Sequence, residues 1–157
     1  MPPLLNGALV VTALLSAGVL YGTDVFFAVV GRSALERASE AGLSEVMGRL
    51  HEVGDARMPV FGAAALITSL ALVFTAGLGS AASWCALAAV GGLGLQVGAY
   101  LGVAAPVNKV QAAAARQGLL PPQPRALQRR WDSVIVLRAV GTAIGVAALA
   151  LCALVLS

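Results

Sequence analysis

Two ionisable side chains stand inside long apolar runs of this sequence, Asp24 in the first and Arg138 in the last. A charge in hydrocarbon is costly and marks a functional site by default. At 1.5 Å per residue, Asp24 lies roughly 9 Å and Arg138 roughly 6 to 9 Å inside the same end of their runs, so the two are placed to meet. Gln96 and Tyr100 in the third run are four residues apart and share a helix face. Tyr21 precedes Asp24 by three residues and can face the same way. Tyr21, Asp24, Gln96, Tyr100 and Arg138 are therefore expected to converge from three helices on one polar pocket. The plainer reading is an Asp24–Arg138 ion pair that fixes helix registry, with Gln96 and Tyr100 satisfying each other or a backbone carbonyl. Several polar side chains at one depth exceed what registry alone requires.

The only histidine, His51, precedes Asp55 by four residues in a polar stretch. On a continuous helix this pair would orient the imidazole and raise its basicity; the bland alternative is a surface histidine without a role. One histidine does not make a multi-ligand metal site, and no metal is expected. A haem with His51 as single axial ligand is left open. Cys85 and Cys152 both fall in apolar segments with no Cys-x-x-Cys, and read as small buried hydrophobes, with a disulfide between them as the lesser alternative.

The elements that must position these groups follow from composition. Of 157 residues, 59% are hydrophobic and 11% charged, and the mean hydropathy is +0.90. A span takes about 20 apolar residues, so four spans and their loops use nearly the whole length. The expected fold is all-α, one domain over 1–157, a bundle of four transmembrane helices at about 4–30, 59–76, 81–105 and 133–156. The first run is too long, and lacks the basic start, for a cleaved signal peptide. Ser33 followed by Glu36 is a capping-box pattern, and apolar residues then recur at helical spacing, which predicts a short amphipathic helix in the first loop. Pro59 is expected to open the second span. Gly77, Gly79 and Ser80 form a tight turn, and Pro106 starts a second polar helix. Pro121, Pro122 and Pro124 stiffen a connector, and Trp131 sits at interface depth before the fourth span.

The net charge of +3 does not imply nucleic acid, because the basic residues are scattered among apolar runs and aromatics are few. It reports orientation. Arg32, Arg37, Arg49 and Arg57 lie in the first loop, and Lys109, Arg116, Arg125, Arg129 and Arg130 in the third, while the second loop and both tails have none. The positive-inside rule then places loops 31–58 and 106–132 in the cytoplasm and both termini outside a cell membrane. Gly18/Gly22, Gly94/Gly98/Gly102 and Gly141/Gly145 follow small-xxx-small spacing and are expected to let helix backbones approach.

The layout resembles the anthrone-oxygenase-like family of small four-helix membrane proteins. The points of similarity are Gly18, Gly22, Phe26 and Phe27 in the first span, Pro59, Pro106 with Asn108, and Trp131 a few residues ahead of Arg138. Where family members often carry Asn-His before the span-four arginine, this chain has Ile135 and Val136, so no role is carried over from that histidine. The resemblance implies oxygenation of a reduced polycyclic phenolic ketone, an anthrone, by molecular oxygen with no further cofactor. An anthrone has an acidic C–H whose removal gives an extended anion able to reduce oxygen, so the protein need only supply a base and stabilise that anion. Asp24 or His51 would be the base and Arg138 the anion partner. Tyr21, Gln96, Tyr100, Asn108 and Trp131 would bind the substrate.

Two other classes fit the same sequence. One is a small carrier with Asp24 as a proton or cation site, for which a homo-oligomer would supply the larger repeats typical of carriers. The other is a non-catalytic membrane subunit whose loops dock a partner. The expected partners are thus the lipid bilayer and a lipophilic small molecule.

Overall fold

A computed structural model describes residues 3–156, with the side chain of Pro3 outside the description. The chain is all-helical. Helix α1 (Pro3–Phe26) runs through a π-helical turn at Phe27–Gly31 into α2 (Arg32–Arg37). After a break at Ala38 and Ser39 comes α3 (Glu40–Thr75); α4 (Ala81–Ala99) continues through a second π-turn at Tyr100–Ala104 into α5 (Ala105–Arg116), and α6 (Pro124–Leu156) closes the chain. The result is four rods, each containing a stretch long and apolar enough to cross a membrane. At 1.5 Å per residue the 36-residue α3 is about 54 Å long, well beyond the roughly 30 Å of hydrocarbon.

The rods pack in chain order around a ring: α1 on α3, α3 on α4 and α5, α4 on α6, and α6 back on α1. At one end the core is built of small side chains, Ala13, Ala17, Ala65, Ala86 and Ala89 among them, with Leu72, Leu93 and Leu149 filling between. At the other, Met47, Val107, Trp131 and Ile135 form a second apolar cluster. Side-chain size falls to nothing where α4 crosses α6. A Cβ on Gly92 would lie 2.6 Å from the Gly141 carbonyl oxygen, and one on Gly141 2.7 Å from that of Gly92. The expected stripes are thus only half right. Gly141 and Gly145 make the contact, but their partner is Gly92, and a Cβ on Gly18, Gly22, Gly94, Gly98 or Gly102 would meet nothing within 4 Å.

Helix limits also differ from the expected ones in instructive ways. The loop helices exist, but they extend the spans instead of standing apart from them. Ser33 caps nothing, because the chain is already helical there; the cap of α3 is Ser39, whose hydroxyl accepts from the Gly42 N–H at 3.1 Å. Pro59 lies inside α3 and does not open it. Its missing N–H leaves the Asp55 carbonyl without the usual helix donor. The turn at 77–80 is as expected, with Gly77 and Gly79 at φ of 88° and 82°, a region that disfavours other residues. Ser80 caps α4 through the Ser83 N–H, and the Ser83 hydroxyl donates back across the turn to the Val73 carbonyl at 2.8 Å. At the opposite end Arg125 donates to the carbonyls of Leu35, Glu36 and Ala38, closing the C-terminus of α2.

Candidate functional site

Between the two core clusters the bundle does not close. A cavity of about 540 Å³ is lined from α1, α3, α4, α5 and α6 and by the first residue of each π-turn, Phe27 and Tyr100. Two of these helices, α1 and α4, leave α-geometry within a turn of the side chains Asp24 and Gln96 that they bring to the cavity. Single π-turns of this kind occur often at functional sites, since the extra residue re-aims the flanking side chains. Gly31 follows from the same geometry: a Cβ there would collide with the Phe27 ring folded back over the turn.

The centre of the site is an ion pair. Arg138 Nη2 donates to Asp24 Oδ1 at 2.6 Å. The guanidinium carbon lies 5.7 Å from the Tyr100 ring centre and 5.6 Å from that of Trp131, within cation–π range of both. Trp131 in turn meets Phe27 edge-on at 5.2 Å and the His51 ring at 5.6 Å. Gln96, on α4, lines the same cavity as Asp24, without a hydrogen bond of normal geometry to its carboxylate.

A second network runs alongside. Asp55 Oδ1 accepts from the Tyr100 hydroxyl and from Asn108 Nδ2, both at 2.8 Å, so one carboxylate ties α3, the second π-turn and α5 together. Because α3 is continuous past Gly54, His51 and Asp55 do share a face, and both line the cavity. The expected hydrogen bond between them is not formed; the Asp55 oxygen serves Tyr100 and Asn108 instead. His51 is buried, and both ring nitrogens lack a partner of normal geometry, as do both amide atoms of Gln111, the polar group beside it. Burial pushes the imidazole down to about 4, against the pull of Asp55, so the ring is neutral near pH 7.

What the site leaves unmade is as informative as what it makes. Asp24 Oδ2, His51 Nδ1 and Nε2, Asn108 Oδ1, Trp131 Nε1 and Arg138 Nε are buried without a hydrogen-bond partner. All five residues are at most 9% exposed and all line the same cavity. Buried polar atoms are rarely orphaned, and each costs about 1–3 kcal/mol when it is. Six such atoms belong to five residues that line one mostly apolar space, so the unsatisfied polarity of the bundle's centre is gathered in the walls of this cavity.

Of the residues expected from sequence, Asp24, His51, Gln96, Tyr100, Asn108, Trp131 and Arg138 all line the cavity. Tyr21 does not. It lies on the outer side of α1, 36% exposed, because the buried face of that helix runs through Ala13, Ala17, Leu20 and Asp24. Trp131 is 4% exposed, packed inside the bundle against Phe27 and His51. Asp55 is the hub the sequence reading underweighted: its i, i+4 spacing to His51 was legible, its partners on two other helices were not. Among the described residues no group of three or more His, Cys, Asp or Glu is placed to hold a metal ion. The chain matches no family model, no curated protein and no solved structure.

Proposed function

We propose that the protein is a membrane oxygenase whose cavity takes a lipophilic, hydroxylated aromatic substrate of the anthrone type. The observation that carries this reading is a mostly apolar cavity whose wall gathers the Asp24–Arg138 pair, His51, Asp55, Tyr100, Asn108 and Trp131 at one level of the bundle. A cavity of this size falls within the roughly 300–1,000 Å³ of small-molecule sites, which are characteristically apolar with a few placed polar groups.

The chemistry divides among the residues as follows. His51, neutral and with free ring nitrogens, accepts the proton of the activated ring C–H. The electron pair left on carbon spreads onto the substrate's ketone oxygen, where Arg138 and the Trp131 N–H stabilise the developing charge. Asp24 holds Arg138 in place, and Asp55, through Tyr100 and Asn108, fixes the wall beside His51. The carbanion reduces oxygen and a C–O bond forms to give a peroxide anion, which takes back the proton held by His51; loss of water from the resulting hydroperoxide leaves a ketone. One O2 is consumed per substrate, with one oxygen atom in the product and the other in water. In the oriented bilayer the distribution of Arg and Lys puts the polar end of the cavity toward the cytoplasm. Cysteines introduced at Ala38 and Leu78 of a Cys85→Ser/Cys152→Ser chain check this: labelling by an impermeant maleimide of intact cells is expected at position 78 only, and labelling at 38 contradicts it.

Oxygen uptake by the detergent-purified protein offered emodin anthrone tests the reaction. The account expects one mole of quinone per mole of O2 and no Soret band in the protein's absorption spectrum. Uptake no faster than in protein-free detergent removes the oxygenase reading. A Soret band lost in His51→Ala would make His51 a haem ligand in place of a base. A carrier using Asp24 is less well supported, because that carboxylate is engaged by Arg138.

A further inference from the structure

The cavity is long as well as amphipathic. On α3 its wall runs from Leu50 to Leu66, about 24 Å at 1.5 Å per residue, whereas on α1 it runs only from Leu20 to Phe27. The two ends differ in chemistry. Among the residues that line the cavity, those with unpartnered buried polar atoms belong to the end near His51 and Arg138, while beyond Pro59 the wall on α3 is Gly62, Ala63 and Leu66, with Leu20 and Val97 also lining the cavity. At Gly62 the wall of this arm is bare backbone. Glycine in a helix interior is unfavourable relative to alanine, yet no packing demands it here, since a Cβ would meet nothing within 4 Å.

The polar end is equally selective. Asp24 Oδ2 and Asn108 Oδ1 only accept as they stand, Trp131 Nε1 and Arg138 Nε only donate, and neutral His51 does one of each. A head group seated among these residues thus lies beside both donor-bearing and acceptor-bearing side chains, which suits a group that does both, as a hydroxyl does. The charge of Arg138 is already answered by Asp24, which favours a neutral hydroxylated ring over a carboxylate or phosphate. A ring system seated at this end does not span the roughly 24 Å of wall on α3.

We infer that the substrate is a tailed amphiphile, with a hydroxylated aromatic head at the polar end and an alkyl or isoprenoid chain in the arm beside Gly62; this rests on the reading of the cavity as a substrate site. The arm faces the apolar stretch of α3, so the tail enters along the bilayer and the head follows to the polar end.

Calorimetric titration of nanodisc-embedded protein with methylhydroquinone and decylhydroquinone, corrected by empty nanodiscs, tests the assignment independently of turnover. The decyl compound is expected to bind at least tenfold more tightly than the methyl one. Gly62→Phe is expected to abolish that advantage while leaving the methyl compound within twofold. Gly62→Leu gives an intermediate loss and stands in should the phenylalanine variant not fold. An equal tail advantage in wild type and both variants, or none in wild type, overturns the tailed substrate while leaving the site intact. Absence of saturable binding by either compound overturns the site itself.

Discussion

At the scale of single residues, the chain was most legible where chemistry is most expensive. Asp24 and Arg138 announce themselves because charges in apolar runs are rare, and helix rise alone predicted their meeting. Asp55 did not, since a carboxylate in a polar stretch is ordinary until α4 and α5 bring Tyr100 and Asn108 to it. His51 yields a prediction of its own. Its folded-state value of about 4 lies below the ordinary 6.5, so between those limits the unfolded chain binds the extra proton. Stability is therefore fully present above pH 6.5 and is lost as the pH falls through about 4, by roughly 3 kcal/mol in all. Denaturation in mixed detergent at pH 7.5 and 4.5 is expected to show this loss in wild type and to show a smaller one in His51→Phe. An equal loss in both would mean that His51 is not the buried neutral group described.

At the scale of elements, the four apolar runs gave the rods, but not where they end. Hydropathy marks the part of a helix that lipid can cover, whereas the polar parts of α3, α5 and α6 continue beyond it because they pack on one another. That is why Trp131 is buried and why Pro59 is internal. The π-turns left no pattern in the sequence. Glycine spacing was an incomplete guide for a related reason: three residues on one stripe show that a backbone can be approached, not that anything approaches it. Gly92 and Gly94 separate these cases. Gly92→Ala places a methyl group against backbone and is expected to cost about 1–3 kcal/mol, while Gly94→Ala points into open space and is expected to be neutral or slightly stabilising. Thermal melts of the two purified variants decide the point, and equal melting temperatures would contradict the α4–α6 crossing.

At the scale of the whole molecule, the bundle is a container closed at one end by alanine and at the other by Met47, Trp131 and Ile135, with the polar layer between. Two carboxylates organise that layer, Asp24 through α6 and Asp55 through the second π-turn and α5, so all four rods contribute to one site. The central claim is that the polar end of this container does chemistry. Replacing both members of the ion pair, Asp24→Asn with Arg138→Gln, removes the charges while keeping a hydrogen-bonding pair and so avoids an orphaned charge. The most direct test is oxygen uptake with emodin anthrone by wild type, by this double variant and by His51→Gln, each first shown to be folded. Uptake above the uncatalysed rate is expected in wild type, with a loss of about 100-fold or more in both variants. Uptake within tenfold of wild type in both would contradict it, and would leave the Asp24–Arg138 pair as a device of helix registry.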